Sequence, residues 1–221
     1  MFARVGVAGC SAITALTAQN PERILRIEPS PSGQLAAELE AILSYYAVVA
    51  VKTGMLVGRD HIRTVAAALS RRSEACPLVV DPVMISTSGT SLLDEAGRQA
   101  LVTELFPMAS LITPNLPEGE AMLGEGIDDP VEAAAELVRR FRCPVLLKGG
   151  HAEDKATLLD VLCMGNGDIH LFEHPRLDWD REQAHGSGCR LAAAIAAYLG
   201  LGMAMDEAVS LGIAQPHGGL A

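Results

Sequence analysis

The sequence of 221 residues is 49% hydrophobic, which suffices for one domain with a substantial core, and we predict a single domain over residues 1–221. Its formal net charge of -10 argues against a nucleic-acid partner or an anionic membrane surface, because both are bound through basic patches. The sequence contains no long apolar run, secretory signal pattern or regular cysteine spacing, so we expect neither a membrane span nor a disulfide framework, and we predict a cytoplasmic protein.

Short runs rich in valine, isoleucine and leucine alternate along the chain with longer amphipathic segments. The predicted strands, in chain order, are 11–16, 48–52, 78–81, 110–113, 145–148, 157–162 and 169–173. The predicted helices are 33–46, 60–72, 94–105, 116–123, 130–140, 189–199 and 205–211. This alternation indicates an α/β fold with a parallel sheet covered by helices on both faces, and the more polar stretch 164–184 indicates an antiparallel excursion.

Four predicted strands end at a polar residue that is joined to proline or glycine. The endings are KTGM (52–55), DPVM (81–84), TPNLPE (113–118) and KGGH (148–151). In an open α/β sheet, the ligand crevice lies outside the carboxyl ends of the strands. The four endings therefore predict a single site, and two of the three lysines of the chain, Lys52 and Lys148, lie in it.

The motif HGSGC, residues 185–189, precedes an alanine-rich segment that predicts a helix. Gly186 and Gly188 allow the amide groups of the turn, including that of Ser187, to converge on one point, and the helix adds its positive dipole end. This predicts an anion-binding turn, in which the pKa of the Cys189 thiol lies below its ordinary value of about 8.5. The alternative is a close-packed turn with an ordinary buried cysteine, since free cysteines are among the most buried residues.

Three of the strand endings carry residues suited to a nucleotide and its metal. Lys148, followed by Gly149, can act as a point charge on phosphate, although a lysine at the sheet rim can also extend into solvent. Asn115 and Glu118 have the spacing of a capping box, and the same carboxylate can hold a hydrated Mg²⁺ beside a polyphosphate. Asp81 can assist the metal or start a turn with the proline that follows it. The sequence lacks GxxxxGK[ST], which excludes a Walker-type nucleotide site.

Gln19, Met55 and Val83 are candidates for a ligand pocket. The Gln19 amide ends an apolar run and can donate and accept at once, as recognition of a heteroaromatic ring edge requires. Met55 and Val83 can supply apolar walls to the same pocket. The alternatives are a solvated loop glutamine and two core side chains.

Six motifs in a fixed order carry a resemblance to a known family. They are TALTAQN, VKTGML, VVDPVM, LITPNLPEGEAMLG, LLKGGH and HGSGCRLAAAIAAYL, and the resemblance that they carry runs from about residue 10 to about residue 209. This set resembles the hydroxymethylpyrimidine and phosphomethylpyrimidine kinases of thiamine synthesis, in the ribokinase-like superfamily. The resemblance implies a three-layer α/β/α sandwich with a mostly parallel Rossmann-like sheet and a homodimer. It also implies ATP with Mg²⁺, and phosphoryl transfer to the hydroxymethyl group of an aminopyrimidine or to its monophosphate.

In the family that the sequence resembles, a cysteine stands where related sugar kinases have an aspartate base. The resemblance therefore implies that Cys189 lies beside the substrate hydroxyl, while the amides of the preceding turn stabilise the charge of the transferred phosphoryl group. The site residues predicted from the motifs and the resemblance together are Cys189, Gly186, Ser187 and Gly188 for catalysis, Lys148, Asn115 and Gly149 for the nucleotide, Gln19, Met55 and Val83 for the pyrimidine, and Glu118 and Asp81 for the metal.

The sequence departs from this family at its N-terminus and beside the cysteine. Members of the family begin with a β-strand and a glycine-rich segment containing an aspartate, and the present sequence starts after them. We therefore expect either a longer natural chain or a shortened relative with altered or lost activity. Arg190 follows the cysteine where relatives carry a small polar residue. Two alternative functions stay open: a pyridoxal kinase of the same superfamily, and a non-catalytic homologue that binds a pyrimidine or nucleotide.

Overall fold

The computed structural model describes residues 1–72, 76–85, 92–149, 157–176 and 186–215. Its strands are β1 (Ala15–Gln19), β2 (Ile24–Pro29), β3 (Val51–Thr53), β4 (Leu78–Val80), β5 (Leu111–Ile112), β6 (Val145–Leu147), β7 (Thr157–Cys163) and β8 (Ile169–Pro175). Its helices are α1 (Phe2–Val5), α2 (Ser32–Tyr45), α3 (Arg59–Ser70), α4 (Glu95–Ala100), α5 (Leu116–Leu123), α6 (Pro130–Phe141), α7 (Ser187–Gly200) and α8 (Met205–Ala214). Helix α4 continues into a π-helical segment (Leu101–Leu105) and a 3-10 turn (Phe106–Met108).

The central sheet has six strands in the order β3-β4-β5-β6-β7-β8. The pairs from β3 to β6 are parallel, whereas β6 with β7 and β7 with β8 are antiparallel. Because the parallel strands follow one another in sequence order, right-handed crossovers put their connecting helices on one face of the sheet. Helices α7 and α8 pack on the other face. The predicted α/β/α sandwich with a mostly parallel sheet is confirmed. The antiparallel part begins with β7, earlier than the excursion predicted at 164–184, and residues 177–184 of that prediction lie outside the described residues.

Successive side chains of each short parallel strand alternate between two buried cores. Val80, Ile112 and Val145 face the core beneath the connecting helices, whereas Val79 and Leu111 face α7 and α8. Leu146 of β6 also faces α7 and α8. The residues two positions after Val79, Leu111 and Leu146 are Asp81, Thr113 and Lys148, respectively. The period of the strands thus directs three polar side chains toward the beginning of α7.

Of the segment predicted as a strand at 11–16, only Ala15 and Leu16 are in a strand, and that strand belongs to a separate hairpin and not to the central sheet. Strands β1 and β2 form their own antiparallel sheet, which turns at Asn20, whose Oδ1 accepts hydrogen bonds from the amides of Glu22 and Arg23 at 3.0 and 2.9 Å. Leu16 and Leu25 stay 67% and 66% exposed. Without a buried face, these strands lack the hydrophobic alternation by which strands are recognised, which explains why β2 was missed.

Strand β3 pairs with β4 alone among the described residues, so it forms one edge of the sheet. The expectation of a strand missing ahead of it stays a prediction. In the described part of the chain, no helix combines the length and the apolar character needed to span a membrane.

Candidate active site

Asp81 is the centre of a polar cluster at the carboxyl edge of the parallel strands. Its carboxylate is 3% exposed and lies between two lysine amines. Lys148 Nζ donates to Oδ1 at 3.1 Å, and Lys52 Nζ lies 3.4 Å from Oδ2. The Thr113 hydroxyl also donates to Oδ1, at 3.4 Å, and the Cys189 thiol donates a further hydrogen bond. The structure thus brings residues from β3, three strand endings and α7 to one point.

The charges of this cluster fix its protonation states. Burial alone would raise the pKa of Asp81, but the charges of Lys148 and Lys52 outweigh it, and the pKa lies below its ordinary value. Burial alone would lower the pKa of Lys148, but Asp81 and Glu118 raise it instead. At neutral pH the cluster therefore holds an ionised carboxylate between two lysines, with a cationic Lys148.

Helix α7 begins beside Lys148. Gly186 is its N-cap and has φ 73°, a left-handed conformation that glycine adopts without strain. A Cβ atom added to Gly188 would lie 3.1 Å from Lys148 Nζ, so the amine rests against the backbone of the first helical turn. The first amides of a helix have no acceptor within it. A lysine amine beside the N-terminus of a helix is an arrangement suited to an anion such as phosphate.

The prediction of a lowered thiol pKa is wrong. Solvent reaches Cys189, but its thiol lies beside the carboxylate of Asp81. Burial and the negative charge of Asp81 raise the pKa of Cys189, and Lys52 and Lys148 offset this only in part. The helix terminus and the lysines favour a thiolate, whereas the neighbouring carboxylate and burial disfavour it more strongly. Cys189 is therefore a neutral thiol at neutral pH.

This protonation state predicts slow alkylation of Cys189. With iodoacetamide at pH 8, we expect Cys189 to react more slowly than Cys10, which is also exposed and serves as an internal reference. The Asp81→Asn variant should react faster at Cys189 and at an unchanged rate at Cys10, because the opposing carboxylate charge is gone. Peptide mass spectrometry over time measures both rates. Faster modification of Cys189 than of Cys10 in the wild-type chain would contradict the raised pKa.

Asn115 and Glu118 form the capping box of α5. Asn115 Oδ1 accepts from the Glu118 amide at 2.9 Å, and Glu118 Oε2 accepts from the Asn115 amide at 2.9 Å. Glu118 Oε1 accepts from the Met84 amide at 3.2 Å. Burial raises the pKa of Glu118. The positive charge of Lys148 opposes this rise, and the negative charge of Asp81 adds to it. The structural interpretation of the NLPE motif is thus confirmed, and Glu118 also interacts electrostatically with both Lys148 and Asp81.

The Gly149 backbone packs directly on the neighbouring strand. A Cβ atom at this position would lie 2.1 Å from the carbonyl oxygen of Leu159, so only glycine fits without moving β6 away from β7. The Gly149 amide donates to Asp160 Oδ1 at 2.7 Å. Gly149 therefore fixes the turn that follows Lys148, and its predicted contact with a nucleotide stays a prediction.

Of the three predicted pocket residues, Met55 and Val83 lie in the loops after β3 and β4, and Gln19 does not. Gln19 ends β1 in the exposed hairpin, and the hairpin is joined to the β3 loop by a 2.7 Å hydrogen bond from the Thr14 hydroxyl to the Met55 carbonyl. Met55 and Val83 are half-buried. Val83 has φ 31°, which is strained for a β-branched residue. Their contacts with a substrate stay predictions.

Sequence reasoning missed three groups of this site. Thr113 lies within a quoted motif but received no role, and Asp160 with His174 lies on the antiparallel strands, far from any motif. The one signal for Asp160 was an acidic residue inside the otherwise apolar strand LLDVL (158–162). A charge in a buried strand requires a partner, which that pattern alone did not identify.

The fold places the chain in the ribokinase-like class, which it shares with solved kinases. A crystal structure of phosphomethylpyrimidine kinase from Clostridium difficile is similar with a TM-score of 0.80 and 34% identity, over 96% of this chain and 86% of that one. A pyridoxal kinase from Staphylococcus aureus in complex with AMP-PCP and pyridoxal is similar with a TM-score of 0.82 and 28% identity, over 96% and 76%.

The sequence matches the phosphomethylpyrimidine kinase family over residues 1–215, and the chain belongs to that family. The hydroxymethylpyrimidine/phosphomethylpyrimidine kinase of Rhizobium meliloti is 38% identical, over 98% of this chain and 80% of its own length. The thiamine biosynthesis bifunctional protein ThiED of Geobacter sulfurreducens is 40% identical, over 93% of this chain. The chain spans 42% of that protein and 28% of the multifunctional ThiED of Corynebacterium efficiens, to which it is 38% identical.

Proposed function

We propose that the chain transfers the terminal phosphoryl group of ATP to 4-amino-5-hydroxymethyl-2-methylpyrimidine, to its monophosphate, or to both, in thiamine biosynthesis. The observation that carries the proposal is the cluster of Lys148, Asp81 and Cys189 at the start of α7. Relatives named for this activity cover nearly the whole chain. The proposal favours a pyrimidine over pyridoxal because the solved phosphomethylpyrimidine kinase is 34% identical, against 28% for the pyridoxal kinase.

The anion-binding crevice supports a division of roles for phosphoryl transfer. Lys148 and the first amides of α7 bind the phosphate oxygens, because a buried cation and unpaired amides stabilise the charge of the transition state. Phosphoryl transfer depends mainly on such positioning and electrostatic stabilisation. Gln19, Met55 and Val83 bind the pyrimidine ring in this proposal, and the Lys148–Gly149 turn binds the nucleotide.

The donor set is compatible with Mg²⁺ at Glu118. A carboxylate offers about four acceptor positions. Glu118 uses two of them for backbone amides, whereas Asp81 already accepts from Lys148, a hydroxyl and a thiol and forms an ion pair with Lys52. In the described residues no cluster of three or more acidic, histidine or cysteine side chains forms a metal cage, so phosphate oxygens and water complete the coordination. When bound, Mg²⁺ neutralises phosphate charge. Asp81 is the weaker candidate, since it would have to give up a lysine.

Cys189 acts in this proposal through its position and not as a thiolate. Its raised pKa keeps the sulfur protonated and donating to Asp81. The sulfur then accepts a weak hydrogen bond from the substrate hydroxyl and orients its oxygen toward the phosphoryl group. As the new O–P bond forms and ADP leaves, the hydroxyl proton passes to a phosphate oxygen or to water. Because the reaction needs little help from a strong base, a neutral thiol is compatible with turnover.

A substrate panel tests the proposed activity. The purified chain with ATP and Mg²⁺ is given the hydroxymethylpyrimidine, its monophosphate and pyridoxal in separate reactions, and products are measured by mass spectrometry. We expect phosphorylation of at least one pyrimidine with a kcat/KM at least tenfold above that of pyridoxal. Preferential phosphorylation of pyridoxal would contradict the proposed substrate. Binding of the pyrimidine without turnover would favour the non-catalytic alternative.

We also propose a homodimer. The β1–β2 hairpin and the segment before it leave three large apolar side chains exposed, which are Leu16 and Leu25 in the hairpin and Ile13 ahead of it. Exposed apolar patches are typical of protein interfaces. Light scattering should give twice the chain mass of 23.2 kDa. The Leu16→Asp variant should shift the protein toward the single-chain mass, and a wild-type protein of that mass would contradict the proposal.

A further inference from the structure

Asp160 is a buried carboxylate outside the polar cluster around Asp81. It lies on β7 and is 4% exposed. Its Oδ1 accepts the Gly149 amide at 2.7 Å, and its Oδ2 lies 3.3 Å from His174 Nε2 on β8. The neighbouring β7 residues Val161 and Leu162 are fully buried in the two cores. A carboxylate among such neighbours costs free energy unless its oxygens are paired, and these two partners pair both of them.

The partner of this carboxylate is the amide directly after Lys148. The backbone of Lys148 is held on its other side, because its own amide donates to the Pro114 carbonyl at 2.9 Å. Gly149 also packs against the Leu159 carbonyl with no room for a Cβ atom. The backbone at Lys148 and Gly149 is thus fixed by the segment after β5 on one side and by β7 on the other. Asp160 supplies the charged hydrogen bond among these restraints.

His174 is the outer partner of Asp160. Its side chain is 28% exposed, so it closes the site of Asp160 toward solvent. The hydrogen bond to Asp160 raises the pKa of His174, against the effect of burial. The imidazole therefore occupies the second carboxylate oxygen of Asp160, while the first accepts the Gly149 amide.

We propose that Asp160 is a positioning residue for nucleotide binding, which acts by fixing the Lys148–Gly149 turn. This inference rests on the proposed role of Lys148 at the phosphate. Asp160 itself does not contact the reacting groups in this proposal. Its loss frees the Gly149 amide to rotate and lets the Lys148 amine move off the first turn of α7. The consequence is weaker nucleotide binding with little change in pyrimidine binding.

The test compares Asp160→Ala, Asp160→Asn and the wild-type chain. We expect Asp160→Ala to raise both the KM for ATP and the Kd of AMP-PCP by about tenfold, because a hydrogen bond to a charged group is lost. The KM for the pyrimidine should change by less than about twofold. Asp160→Asn keeps a carbonyl acceptor for Gly149 and should recover most of the nucleotide affinity. Calorimetry measures the Kd and steady-state kinetics the two KM values.

Leu162→Val is the matched control, because Leu162 is a fully buried residue of the same strand that pairs with Leu146. It should lower the melting temperature and leave the KM for ATP unchanged. Equal increases of both KM values in Asp160→Ala, or an unchanged Kd for AMP-PCP, would overturn the inference. If the wild-type chain binds AMP-PCP but phosphorylates no pyrimidine, the proposed function fails, while the Kd values of the variants still decide the role of Asp160.

Discussion

Replacement of Lys148 by methionine is expected to lower kcat/KM by about 10²- to 10³-fold, the typical loss when one preorganised electrostatic contact is removed. Methionine keeps much of the apolar stem and removes the charge. Lys52 remains 3.4 Å from Asp81, so the buried carboxylate keeps a counter-charge and the fold should be retained. Steady-state kinetics measures the loss of kcat/KM, and a thermal melt tests whether the fold is retained.

Lys52→Met is the matched control for this variant. It also removes one of the two cations beside Asp81, but it leaves the amine that rests against Gly188. We expect a smaller loss of kcat/KM for Lys52→Met than for Lys148→Met. Equal losses in the two variants would mean that neutralising Asp81, and not binding phosphate, is the main role of Lys148.

Replacement of Gly149 by alanine is expected to destabilise the fold by about 1–3 kcal/mol, as overpacking of a filled site does. The new methyl group would lie 2.1 Å from the Leu159 carbonyl oxygen and 2.9 Å from its carbon, and a backbone cannot move as a flexible side chain can. The strain arises between β6 and β7 and displaces the turn after Lys148. Activity should therefore fall together with the free energy of unfolding, measured by urea titration.

Gly165→Ala provides the comparison for the Gly149 variant. It introduces the same methyl group at a glycine with no atom within 4 Å of the added Cβ. We expect its stability and activity to stay close to those of the wild-type chain. A Gly149→Ala protein as stable as Gly165→Ala would show that β6 and β7 separate more easily than their packing indicates.

The layered fold was predictable because the parallel strands are buried on both faces. Such strands give apolar runs that are recognisable without a partner, and the predicted runs at 78–81 and 145–148 lie within one residue of β4 and β6. The β1–β2 hairpin was not predictable by the same signal. Its strands are mostly exposed, and their pairing depends on a turn at Asn20 and not on a hydrophobic face.

The candidate site was predictable as a location but not in its electrostatics. Strand endings identified Asp81 and Lys148 because the carboxyl ends of parallel strands meet at one edge. The pKa of Cys189 was predicted in the wrong direction, because the sequence near Cys189 contains the helix terminus but not the carboxylate that opposes it. Asp81 is more than a hundred residues away in the chain, and only the fold brings it to the thiol.

The most direct measurement is a crystal structure of the chain with AMP-PCP, Mg²⁺ and the hydroxymethylpyrimidine. We expect the terminal phosphate in contact with Lys148 Nζ and the first amides of α7, and the hydroxymethyl oxygen of the substrate beside the Cys189 sulfur. A terminal phosphate bound away from both Lys148 and the beginning of α7 would contradict it.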